Sequence, residues 1–209
     1  MIAIDFKVVF AATICALALP ALADDMNQIS QSPAAMVKPA DFAWEAGLIN
    51  LEEIRLGQAA QSNSKNKAVQ KFGMHMIRDH SKMEDQLAKI AASEGLQLPD
   101  TNTFYEEVTP PEQKPATEMM PESPQQKLLD AQLDAQQMIS LKGHDFDQAY
   151  ADAMVKGHEK AIQDFEDASG SLQDSALKKY ANKGLKTIRH HYEMAQRLQS
   201  QVSTNAPPM

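Results

Sequence analysis

The sequence predicts an all-α fold: four long amphipathic helices paired as two hairpins, with a long Pro-rich crossover and one extra, shorter helix. Three observations carry this expectation. Apolar residues recur at helical spacing through four long segments. Six of the eleven prolines fall in residues 97–124, and none occurs at 40–98 or 125–206. The two halves of the chain also repeat one helical pattern around a central histidine.

Residues 1–23 read as a secretory signal peptide. Lys7 gives a basic start, Val8 to Leu19 an apolar run, and Ala21-Leu22-Ala23 an A-x-A cleavage site. The run is shorter than the roughly 20 residues a spanning helix needs. No other uninterrupted apolar run follows, so no transmembrane segment is expected after signal removal. A periplasmic or otherwise exported location follows. The only cysteine, Cys15, lies in this segment. The mature chain is therefore expected to lack disulfides, thiolate metal sites and covalently attached haem. Asp5 and Lys7 cancel, so it keeps the net charge of −8. That acidity argues against nucleic acid and anionic membranes as partners, and it identifies no protein partner.

Residues 24–38 are small and polar without a period and read as a flexible leader; the bundle proper is placed at 39–204. The first helix is expected at 41–62, with Asp41 as N-cap. Phe42, Ala46, Ile49, Leu56 and Ala60 share one face, with Glu53 at its middle and Glu45 and Glu52 toward its edge. The second is expected at 66–94, its stripe running from Val69 through Gly73, Met76, Met83 and Leu87 to Ala91, centred on His80. Gly95 suits the left-handed residue that follows a helix.

The 97–124 segment is expected to be extended. A shorter helix at 125–141 ends at Gly143. The next begins at Asp145, where Asp145 and Gln148 are spaced as a capping box; its stripe of Ala151, Met154, Ala161 and Phe165 centres on His158. The last helix, 174–203, carries Leu177, Tyr180, Gly184, Ile188, Ala195 and Leu198 around His191.

Ile77-Arg78-Asp79-His80-Ser81-Lys82-Met83 aligns with Ile188-Arg189-His190-His191-Tyr192-Glu193-Met194. Gly73 and Gly184 each precede the central histidine by seven residues, and Leu87 and Leu198 follow it by seven. The glycines are expected on buried faces, where a missing side chain lets helices approach. Asp41-Phe42, Glu53, Asp79-His80, Phe146-Asp147 with Tyr150, His158 and His191 resemble the exported bacterial family called domain of unknown function 4142. The resemblance spans roughly 40–200. It implies a ferritin-like four-helix bundle and export, and no established activity.

Glu53, His80, His158 and His191 sit near the midpoints of four helices, and antiparallel packing would bring them to one level of the core. A ferritin-type di-iron site takes Glu-x-x-His on two helices. Here Ile77 and Ile188 occupy the glutamate positions. One carboxylate and three imidazoles suit instead a single Zn, Fe or Cu ion. Haem b, held by histidine or by Met76, Met83, Met154 or Met194, is the lesser alternative. A competing reading makes the protein a non-catalytic envelope or stress-protection protein, whose Glu–His cluster pairs internally and fixes helix register.

Other residues are secondary. Met74-His75-Met76 looks copper-like, but His75 and Met76 point apart on a helix. Asp79 suits either orienting a histidine of a neighbouring helix or pairing with a surface cation. His190 and His144 read as solvated or loop residues, and Trp44 as packing. No catalytic residues are assigned.

Overall fold

A computed structural model describes residues 37–107 and 123–204, and every regular element among them is helical. In order these are α1 (Pro39–Asn63), α2 (Lys67–Glu94), α3 (Thr101–Tyr105), α4 (Pro124–Ser140), α5 (Gly143–Ser171) and α6 (Ser175–Thr204). The expected signal peptide, nearly all of the leader, residues 108–122 of the crossover and the last five residues lie outside the described residues. No described helix is long and apolar enough to cross a membrane.

Several helix starts differ from expectation. α1 begins at Pro39, so Asp41 lies in its first turn and not at the cap; Lys38 precedes it without a side-chain cap bond. Proline lacks an N–H and has a helical φ, so it opens a helix without a capping side chain. α5 begins at Gly143, again without a side-chain cap, and the Asp145 capping box does not form. Gly143, expected to end the shorter helix, opens α5 with φ +60, while α4 stops at Ser140. Asn66 caps α2 by accepting from the Ala68 amide, and Gly95 closes it at φ 65 as expected. Within the segment expected to be extended, Asp100 caps the short α3 by accepting from the Thr103 amide.

The long helices pair as α1 with α2 and α5 with α6, and the pairs meet along α2–α6 and α1–α5. Core membership gives their directions. One apolar cluster holds Phe42 and Ala46 from early α1, Met83 and Leu87 from late α2, Phe165 from late α5 and Leu177 to Ile188 from early α6. The other holds Leu56 and Ala60, Val69 to Met76, Phe146 to Met154 and Ala195 to Val202. Neighbouring long helices are therefore antiparallel. Glu53, His80, His158 and His191 fall between the two clusters in every helix. A polar layer thus divides the core at mid-height. α4 lies on α1, and Phe104 of α3 fills a satellite cluster with Leu48 and Leu51.

The repeated glycines do different work. At Gly73 a Cβ would stand 2.7 Å from the Ala60 Cβ and 2.9 Å from the Gly57 carbonyl oxygen, so α1 and α2 cross there in backbone contact. At Gly184 it would meet the Phe165 ring at 2.5 Å; the space is used by a side chain of α5. Gly73→Ala is expected to lower the unfolding free energy by about 1–3 kcal/mol through overpacking. Gly170→Ala, with nothing within 4 Å of the new methyl, is expected to be neutral or stabilising by up to about 1 kcal/mol. Urea denaturation of the two variants measures the contrast.

Candidate metal centre

Each histidine is delivered by a different long helix. His80 of α2, His158 of α5 and His191 of α6 are 1%, 2% and 1% exposed. Their ring centroids are separated by 6.0 Å (His80–His158), 5.3 Å (His80–His191) and 5.5 Å (His158–His191). One ring nitrogen from each lies within 4.8 Å of those from the other two. Glu53 of α1 is also buried, but it lies outside this group of three: its Oε1 stands 3.6 Å from His158 Nδ1.

The outer nitrogen of each ring is tied to an oxygen. His80 Nδ1 is 3.1 Å from Asn50 Oδ1, His158 Nδ1 is 2.8 Å from the Met154 carbonyl, and His191 Nε2 is 3.2 Å from Asp79 Oδ2. Asn50 is wholly buried and is itself oriented. Its amide nitrogen donates to Glu84 Oε2 at 3.0 Å and to Tyr180 Oη at 3.1 Å, which leaves Oδ1 for His80. All three oxygens facing the rings are acceptors, so each of these ring nitrogens carries the hydrogen.

In a neutral imidazole the other nitrogen then holds a bare lone pair. Those nitrogens, His80 Nε2, His158 Nε2 and His191 Nδ1, are buried and have no hydrogen-bond partner. Glu53 Oε2, the Tyr150 hydroxyl and Asp147 Oδ1 are also buried without partners.

Burial sets the charge state. It holds His80 well below its usual range, helped by the neighbouring His158 and His191 rings. It lowers His158 from 6.5 to about 3, with His191 adding to the effect. His191 is also lowered by burial, against the opposing pull of Asp79. Glu53 is raised well above 4.5, first by burial and then by Glu52. Glu52 itself is pushed up to about 7 by burial and by Asp134. At neutral pH the layer therefore holds three neutral imidazoles beside a carboxyl group that burial pushes toward its neutral form. The contact on which the competing reading relies is Glu53 Oε1 to His158 Nδ1 at 3.6 Å, where burial disfavours both charged forms.

Asp79 fulfils both roles open to it. It holds His191, and Arg78 grips its carboxylate at 2.8 and 2.7 Å. Asn50 escaped sequence analysis, and Tyr180 was placed only as a packing residue of the last helix. The available signal was a lone asparagine three residues before Glu53, on the same buried face. His75 pairs with Arg78 at 3.0 Å. His190 is exposed, as expected, and His144 lies in the first turn of α5.

A family model, domain of unknown function DUF4142, matches residues 25–198. The chain belongs to this family. Among solved structures it resembles the crystal structure of a secreted protein of domain of unknown function 305 from Streptomyces coelicolor. The TM-score is 0.57 at 7% identity, over 80% of this chain and 95% of that one. At that identity the likeness concerns the fold alone. No curated protein matches.

The depressed imidazoles give the metal-free protein a definite acid response. The unfolded chain protonates each histidine near 6.5, whereas the folded chain keeps His158 neutral down to about 3. Stability is therefore present above 6.5 and is lost as pH falls toward 3. For His158 the loss approaches about 1.4 kcal/mol per pH unit, or roughly 2 kcal/mol at pH 5. His158→Gln is expected to flatten the slope by that amount, measured by denaturation of chelator-treated protein at pH 7, 6 and 5. An unchanged slope would show that the ring protonates freely in the fold.

Proposed function

We propose that this protein binds one transition-metal ion in its helical core through His80, His158 and His191, with Glu53 as the neighbouring fourth group. The observation that carries the reading is the set of three lone pairs. Their rings are fixed by Asn50, the Met154 carbonyl and Asp79, and their free nitrogens are buried without partners. Unsatisfied buried polar atoms are costly, and imidazole lone pairs cannot donate to one another. A metal ion satisfies all three at once. Hydrogen bonding of the remote ring nitrogen to a carboxylate or carbonyl is how ligating histidines are held in metalloproteins.

Imidazole and carboxylate donors without thiolate suit Zn, Fe or Cu. Three imidazoles with ligand atoms within 4.8 Å of one another suit a single small ion better than haem b. A purely structural cluster would leave the three nitrogens unsatisfied, which disfavours the non-catalytic scaffold reading.

The pairing of four long antiparallel helices supports a ferritin-like bundle within 39–204. The word "secreted" in the description of the Streptomyces protein fits the export inferred from residues 1–23.

Chelator-treated protein is expected to take up one equivalent of Co(II) or Zn(II). A hundredfold excess of free ion over Kd would raise stability by about 2.7 kcal/mol. His80→Ala and His158→Ala should abolish uptake. Asn50→Ala, which frees the His80 ring, should weaken it about 10–100-fold. Titration calorimetry and elemental analysis of untagged protein provide the measurements. No uptake of Zn, Co, Ni, Cu or Fe by the wild-type chain would overturn the reading.

A further inference from the structure

The trio is sealed on nearly every side. Asn50 is fully buried and Met154 is 2% exposed, whereas Asp79 has a fifth of its side-chain surface open. It lines a small cleft of about 90 Å³ on the α2–α6 seam, walled by Met83, Tyr180 and Gly184 and flanked by Lys82 and Lys183. The cleft touches the trio's supports from two directions: Asp79 holds His191, and Tyr180 accepts from the Asn50 that holds His80. At Gly184 a Cβ would meet the Phe165 ring and the Met83 methyl, so α2, α5 and α6 pack closely behind the cleft.

We propose that this seam is the port through which a metal ion reaches and leaves the trio, with Asp79 as the receiving carboxylate and Arg78 as its gate. The proposal rests on metal binding by the three histidines. Both Asp79 oxygens are engaged by Arg78, which is 54% exposed, and Lys82 lies 3.9 Å from Oδ1. An arriving ion must displace the guanidinium to gain a carboxylate oxygen, and it reaches the free His191 Nδ1 only when the bond from His191 Nε2 to Asp79 opens and the ring turns. An exposed ion pair of this kind is held weakly, so the gate can open by side-chain rotation alone. Cations at the mouth raise the electrostatic barrier in both directions. They slow entry and exit together and leave the equilibrium affinity nearly unchanged.

That signature separates a port from a ligand. The test uses the full chain and Co(II), with loading followed by visible absorption in a stopped-flow instrument and release followed by EDTA chase. The double variant Arg78→Gln/Lys82→Gln is expected to speed both rates on the order of tenfold, with Kd shifted much less. Lys156→Gln, on the exposed face of α5, should leave both rates unchanged. Rates that do not respond to the double variant, in a protein that still binds Co(II) stoichiometrically, would overturn the port alone. Faster loading in Lys156→Gln would do the same. A wild-type chain that takes up no Co(II) would overturn both the port and the metal site.

Discussion

Three hydrogen bonds govern the centre of this protein: Asn50 to His80, the Met154 carbonyl to His158, and Asp79 to His191. Each fixes a ring and a tautomer. Without them the imidazoles could rotate and share protons, and the layer would be an ordinary buried polar cluster. With them, three lone pairs are left with no protein donor. The supports come from different sources: a buried side chain of α1, the backbone one turn earlier on α5, and a partly open carboxylate of α2. Two of the three cross between helices. The centre therefore depends on the register of the whole assembly.

That register is set by packing above and below the layer. The backbone contact at Gly57 and Gly73 fixes α1 against α2. Phe165 over Gly184, with the edge-on ring of Phe42 5.1 Å away, fixes α5 against α6 and α1. Tyr150, stacked on Phe146 and edge-on to Phe72, fixes α5 against α2. Aromatic anchors on both sides leave the polar layer little freedom to slide.

Much of this was legible in the sequence, and the failures have physical causes. A 3.6-residue period with a histidine at mid-stripe identified four helices and the level at which three of the rings meet. Asn50 was missed because periodicity marks which residues face the core and not what a polar one bonds to. Its partners Glu84 and Tyr180 lie 34 and 130 residues away. The starts of α1 and α5 were misplaced because Asp41 and Asp145 have good capping chemistry, which the chain does not need where Pro39 or a left-handed Gly143 begins the helix. α3 was hidden because a five-residue helix has no period to detect. Glu53 was expected among the rings and stands beside His158 alone.

The division of the apolar core into two clusters by a polar layer has a consequence for motion. Each cluster draws on all four long helices, so either end can loosen while the other keeps the chain assembled. The imidazole layer lies between the two clusters. An ion there would act as a rivet through three helices. It would tie the two clusters into one cooperative unit, visible as amide hydrogen exchange that slows on both sides of the rivet at once.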